Sequence, residues 1–134
     1  MLDLKGRRPE VAERALEELR PSLGSRRLTV CARSWRLLEA FAGTPVRRIH
    51  SVGTARQLQL LLRRYAGTRL EGVSIHERLL DAASAAALRN LADEIFTWPV
   101  NRPERATELL GLGVTGLITD DLDRLVPGLA GSAA

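Results

Sequence analysis

The sequence predicts an α/β fold built on a parallel β-sheet. Three observations lead there. Short runs of branched and aromatic residues alternate with amphipathic stretches, giving about six strands and five or six helices at a spacing of roughly 20–25 residues. The clearest repeat runs from Glu94 to Ile118 and reads strand–helix–strand, a parallel βαβ unit. Its two strands run out into polar residues, Asn101 and Asp120, and in parallel α/β folds ligands are met beyond the C-terminal ends of strands. The spacing suits the βα unit of an eight-unit barrel, which takes about 250 residues. A chain of 134 residues holds part of one. An open doubly wound sheet competes, but no Gly-rich phosphate loop follows the first strand.

Each element has a local reason. Leu2-Asp3-Leu4-Lys5-Gly6 alternates apolar and polar, as the tail of a strand does. Arg7 to Arg20 is helical, with Val11, Ala12, Ala15, Leu16 and Leu19 as its stripe and Pro21 as its stop. Arg26 to Ala32 is a second strand. Ser34 is expected to cap a helix that buries Trp35, Leu38 and Phe41, broken by Gly43 and Pro45. Val46 to Val52 is a third strand. Thr54 opens a helix with Leu58, Leu61 and Leu62 inward, closed by Gly67. Gly72 to His76 is a fourth strand, and Asp81 caps a helix over Ala82 to Ala92. Glu94 to Trp98 is β-prone. Pro103 then suits a first helical position, Ala106, Leu109 and Leu110 form one face, and Gly111 and Gly113 supply the stop. Val114 to Ile118 is a sixth strand, and Asp120 is expected to cap a short helix from Leu122 to Leu129. Residues 1–130 form one unit, and 131–134 are expected to be a disordered tail.

Composition excludes several classes. Hydrophobic content of 45% with 27% charged residues suits a globular domain rather than disorder. No apolar run approaches the roughly 20 residues that span a bilayer, and no signal-peptide core opens the chain. The single cysteine, Cys31, rules out an intramolecular disulfide and reads as a small core hydrophobe. A cytoplasmic location is expected. The net charge of +4 does not point to nucleic acid, because no basic run is interleaved with aromatics. Of the 20 basic residues only Lys5 is lysine, which marks that position out.

A family resemblance enters on an ordered set of segments. These are Gly72-Val73-Ser74-Ile75-His76, Leu79-Leu80-Asp81, Trp98-Pro99-Val100-Asn101, Ala106-Thr107-Glu108-Leu109-Leu110 and Gly113 to Asp120. Together they resemble the C-terminal part of the glycerophosphodiester phosphodiesterases. Leu2-Asp3-Leu4-Lys5 is similar to that family's mid-barrel strand, which usually carries Glu-x-Lys, and Ala32-Arg33-Ser34-Trp35 is similar to its next strand end, usually Ser-Phe. The resemblance implies a partial TIM-type β/α barrel. It also implies metal-assisted hydrolysis of glycerophosphodiesters to glycerol 3-phosphate and an alcohol, with a divalent cation, calcium or magnesium. The physical need is clear. Carboxylates hold a hard cation through oxygen, the cation neutralises phosphodiester charge, and a lysine adds a second positive point.

By this resemblance Asp3 stands where a metal-binding Glu is usual, one methylene shorter, and Lys5 matches the family's lysine. The family's catalytic histidines and two further metal carboxylates lie in segments without counterpart in this chain. No catalytic residue is therefore assigned, Asp3 alone is not expected to hold the cation firmly, and the isolated chain is expected to be inactive. The substrate-side candidates are Lys5, His76, Trp98 and Asn101. Asn101 reads equally as a cap for the helix near Pro103, and Trp98 as barrel packing or a wall for the glycerol moiety. His50 reads as a surface or core histidine. The alternative is a non-catalytic half-barrel that assembles with itself or with a separate N-terminal half, because an unclosed parallel sheet exposes two edges.

Overall fold

The computed structural model describes residues 1–132; the end of the expected tail, residues 133 and 134, lies outside the described residues. Six strands, β1 (Leu2–Leu4), β2 (Thr29–Ala32), β3 (Arg47–Val52), β4 (Leu70–His76), β5 (Ala92–Trp98) and β6 (Gly116–Leu117), form one sheet. Every neighbouring pair is parallel, and the spatial order equals the sequence order. A doubly wound sheet reverses its order at a switch point. This sheet never reverses, which is the arrangement of a barrel wall. The alternation of strand and helix thus resolves into a partial barrel.

Five helices connect and follow the strands: α1 (Pro9–Leu19), α2 (Ala55–Arg64), α3 (Ala82–Leu91), α4 (Pro103–Gly111) and α5 (Leu122–Ser132). Their starts obey the capping chemistry visible in the sequence. The Thr54 hydroxyl accepts from the Gln57 N–H, and Asp81 and Ser84 form a reciprocal capping box ahead of α3. Pro103 occupies the first turn of α4.

Four local expectations change. Trp35–Phe41 is a 3₁₀ segment, not an α-helix, and Ser34 makes no side-chain cap. Its apolar residues Trp35, Leu38 and Phe41 recur at intervals of three, the period of a 3₁₀ helix. The Leu37 N–H accordingly donates to the Ser34 carbonyl at 2.9 Å. The cap of α5 is Asp121, whose carboxylate accepts from the Arg124 N–H at 3.2 Å; Asp120 does not fill that role. Val11 is exposed, because it stands at the edge of the α1 stripe whose centre runs through Ala12 and Leu19. Finally, β6 is only two residues long, although the Thr115 and Ile118 N–H groups also donate to β5 carbonyls.

Register divides the sheet into two faces. Leu4, Ala32, His50, Val73 and Ile95 stand abreast on one face; Asp3, Cys31, Ile49, Gly72 and Glu94 stand abreast on the other. The first is the outer face, covered by helices. Two apolar clusters fill that layer. One packs Leu4, Val30 and Ala32 against Ala12 of α1 and against Leu37, Leu38 and Phe41. The larger packs Val52, Val73, Ile75 and Ile95 against Leu61 of α2, Leu88 of α3, Leu109 of α4 and Leu125 of α5. Burying each of the Val, Leu, Ile and Phe side chains contributes about 1.5–3 kcal/mol, so the helix layer dominates stability. The second face is concave and carries polar residues. Among the described residues β1 and β6 are the sheet's edges, each paired on one side.

Candidate functional site

Parallel strands all end at one rim, so the residues just past their ends ring a single mouth. Alternation then decides which of them face inward. Two residues beyond Asp3 is Lys5, beyond Cys31 is Arg33, beyond Ser74 is His76, and beyond Phe96 is Trp98. A cavity of about 450 Å³ opens there. Cys31, Ser51 and Ser74 form its buried floor. Asp3, Lys5, Arg33, His76, Trp98 and Asp120 stand around it.

The structure therefore brings Asp3, Lys5, His76 and Trp98 together. Lys5 is ion-paired with Asp3. The His76 Nδ1 accepts from the Arg78 N–H at 3.2 Å, so the neutral ring carries its proton on Nε2. Its ring meets Trp98 edge-on, with centroids 4.9 Å apart at 70°. The turn after His76 is held from behind by Arg105 of α4, which donates to the Glu77 carbonyl at 2.9 Å and pairs with the Glu77 carboxylate at 3.3 Å. Asn101 stands in the next loop. Its side-chain oxygen accepts from the Thr119 hydroxyl at 2.8 Å and from the Asp120 N–H at 3.1 Å, tying the loop after β5 to the loop after β6. The cap of α4 falls one residue later, at Arg102, whose side chain makes no capping bond.

His50 lies on the other face. It is buried between Trp35 and Tyr65, with ring centroids 6.0 and 4.8 Å away. Burial, reinforced by the Arg48 charge, pushes its pKa down to about 4. Its Nδ1 and the Tyr65 hydroxyl have no partner among the described residues. Cys31 is also held neutral. Burial, with the Asp3 charge beside it, pushes the thiol up to about 12.

Sequence reasoning missed Arg33 as a member of the mouth. Its guanidinium lies over the Trp98 ring, 5.3 Å from the centroid. It passes over Gly53, where an added Cβ would sit 3.4 Å from the guanidinium carbon. It also missed the Ser51 and Ser74 floor. The available signal was alternation from Asp3 and Lys5 carried one strand across, since Asp3 pairs in register with Cys31.

A divalent cation takes about six oxygens. Here the Asp3 carboxylate is engaged by Lys5, and Asp120 is the other carboxylate in the wall. Among the described residues no group of three or more His, Cys, Asp or Glu side chains is placed to share an ion. This donor set falls short of the implied calcium or magnesium.

No family model matches the sequence, and no curated protein sequence is similar to it. Solved structures are. One is a protein described as a glycerophosphoryl diester phosphodiesterase, from Silicibacter pomeroyi DSS-3. It matches with a TM-score of 0.81 at 19% identity, covering 99% of this chain and 50% of that one. The fold is half of a TIM-type barrel of the kind seen in that structure. A second match is a phosphodiesterase from Oleispira antarctica, in complex with the product sn-glycerol-3-phosphate. It has a TM-score of 0.71 at 13% identity, covering 91% of this chain and 50% of that one. The chain thus spans about half the length of the structures it matches. Among its described residues no helix is long and apolar enough to cross a membrane.

Proposed function

We propose that this chain is the substrate-gripping, C-terminal half of a glycerophosphodiester phosphodiesterase site, and that the 134-residue polypeptide binds the phosphate and glycerol portion of such ligands without hydrolysing them. One observation carries the reading: Lys5, His76 and Trp98 converge at the strand-end mouth of a half-barrel of this fold. Lys5 neutralises phosphate charge. The Nε2–H of His76 donates to a phosphate oxygen, and Trp98 walls the glycerol carbons. Asn101 acts one step removed, by fixing Asp120. Asp3 contributes a metal oxygen only where further donors complete the set, and alone it does not hold calcium or magnesium firmly.

The test is an assay of glycerophosphocholine hydrolysis with calcium or magnesium, beside a calorimetric titration with sn-glycerol 3-phosphate. Binding without turnover is expected. Turnover that vanishes on chelation would overturn the inactivity, and absence of any binding would overturn the site.

A second reading is a half-barrel that pairs with another chain, a second copy or a separate N-terminal half. Leu2 of the edge strand β1 is exposed, and Phe96 is only half-buried on the concave face. Light scattering after size exclusion decides between them: a well-folded monomer counts against pairing.

A further inference from the structure

Resting on that reading of the mouth, we infer that Arg33 is a pre-set receptor for a phosphate monoester and gives this half-barrel a phosphate grip that needs no metal ion. Three observations carry it. The guanidinium is anchored by the face of Trp98 at 5.3 Å, and such stacking is a property of arginine that lysine does not reproduce. Second, it lies directly over position 53: a Cβ there would already be in van der Waals contact, 3.4 Å from both the guanidinium carbon and Nε, which leaves no room for a branched side chain. Third, Arg33 makes no ion pair or hydrogen bond with a protein group among the described residues, although 16 carboxylate side chains are present in the chain. Arginines in or next to the neighbouring strands are engaged: Arg47 with Glu94 at 2.8 Å, Arg48 with Glu71 at 3.2 Å and Arg69, just before β4, with Asp93 at 2.7 Å.

A guanidinium held over a ring carries its N–H groups in its own plane, around its edge. That edge presents a fork whose spacing matches two oxygens of one phosphate. Lys5 lines the same cavity as a point charge, and the His76 Nε2–H adds a further donor. The carboxylates in the wall are Asp3, already engaged by Lys5, and Asp120. With Lys5 and Asp3 paired to each other, Arg33 is the cavity's cation without a protein partner among the described residues, and a phosphate monoester is the ligand chemistry that meets it. Because the grip is made by side chains, it survives removal of divalent ions.

The test is a calorimetric titration of the full chain in EDTA with sn-glycerol 3-phosphate, inorganic phosphate and glycerol. The variants are Arg33→Lys, Arg33→Met, Gly53→Val and Lys5→Met, each checked for an unchanged melting curve. Wild type is expected to bind both phosphates and not glycerol. Arg33→Met should lose at least about tenfold in affinity. Arg33→Lys should lose nearly as much despite its retained charge, and Gly53→Val should follow by displacing the guanidinium. Should Arg33→Met bind sn-glycerol 3-phosphate as wild type does while Lys5→Met loses it, the Arg33 inference fails and the site reading stands. Should Arg33 govern inorganic phosphate but sn-glycerol 3-phosphate bind no better, the glycerophosphodiester reading fails and the Arg33 receptor stands. Should wild type bind neither phosphate in EDTA, the metal-free grip is overturned.

Discussion

His50 on β3 and His76 at the end of β4 belong to adjacent strands, yet they face opposite ways. The outer face encloses His50 with Trp35 and Tyr65 beneath the helices, and desolvation holds it neutral. The concave face sets His76 against Trp98 in an open cavity, with one nitrogen fixed by a backbone N–H and the other available. The two tryptophans divide likewise. Trp35 donates its indole N–H to the Ser51 carbonyl at 2.9 Å inside the packed layer, while Trp98 lies between His76 and Arg33 at the mouth. One residue of alternation separates a place in the packed layer from a place in the cavity wall. The outer face holds the fold together, and the inner face is free to carry chemistry.

Substitutions can break or sharpen that contrast. The largest effect is expected at Phe41, fully buried in the outer layer. Phe41→Ala should cost about 3–5 kcal/mol in urea denaturation. A loss below about 1 kcal/mol would mean that the 3₁₀ segment does not support the fold.

Next comes pH. His50 has its folded pKa depressed from 6.5 to about 4. The unfolded chain therefore binds the extra proton first as pH falls. The contribution is complete above pH 6.5, declines as pH falls below it and is exhausted near pH 4. Between pH 7 and 4 the loss should be about 2–3 kcal/mol. His50→Phe should flatten that part of the melting-temperature profile. A slope in that variant equal to the wild type's would erase the distinction between the faces.

A smaller effect is expected on the concave face. A Cβ at Gly116 would meet the Phe96 ring at 2.5 Å. Gly116→Ala should displace that ring and cost about 1–2 kcal/mol. The smallest effect on stability belongs to Trp98→Ala, at about 1 kcal/mol. That variant should nonetheless weaken sn-glycerol 3-phosphate binding by about tenfold in calorimetry, because it removes both a wall and the Arg33 anchor.

The sequence made local chemistry legible. Thr54, Asp81 and Pro103 announce helix starts through their own side chains or ring, and the structure places each where capping physics requires. The βα alternation was enough for the fold class. Face assignment was harder to read, because strands of a helix-covered parallel sheet are apolar almost throughout. Nothing in Arg47-Arg48-Ile49-His50-Ser51-Val52 says that His50 turns outward and Ser51 inward; the register with β4 decides it. Asp120 and Asp121 differ in role for a tertiary reason, since Asn101 holds the Asp120 N–H from another loop. Alternation could place Arg33 at the mouth, but not its contact with Trp98, which is three strands away in the sheet.

The central claim is that ligand chemistry belongs to the concave face alone. Its most direct test is a titration with sn-glycerol 3-phosphate followed by NMR on both indole N–H signals and both histidine rings. The account predicts saturable shifts at Trp98 and His76, with Trp35 and His50 unmoved. Shifts at Trp35 and His50 with a silent Trp98 would contradict it.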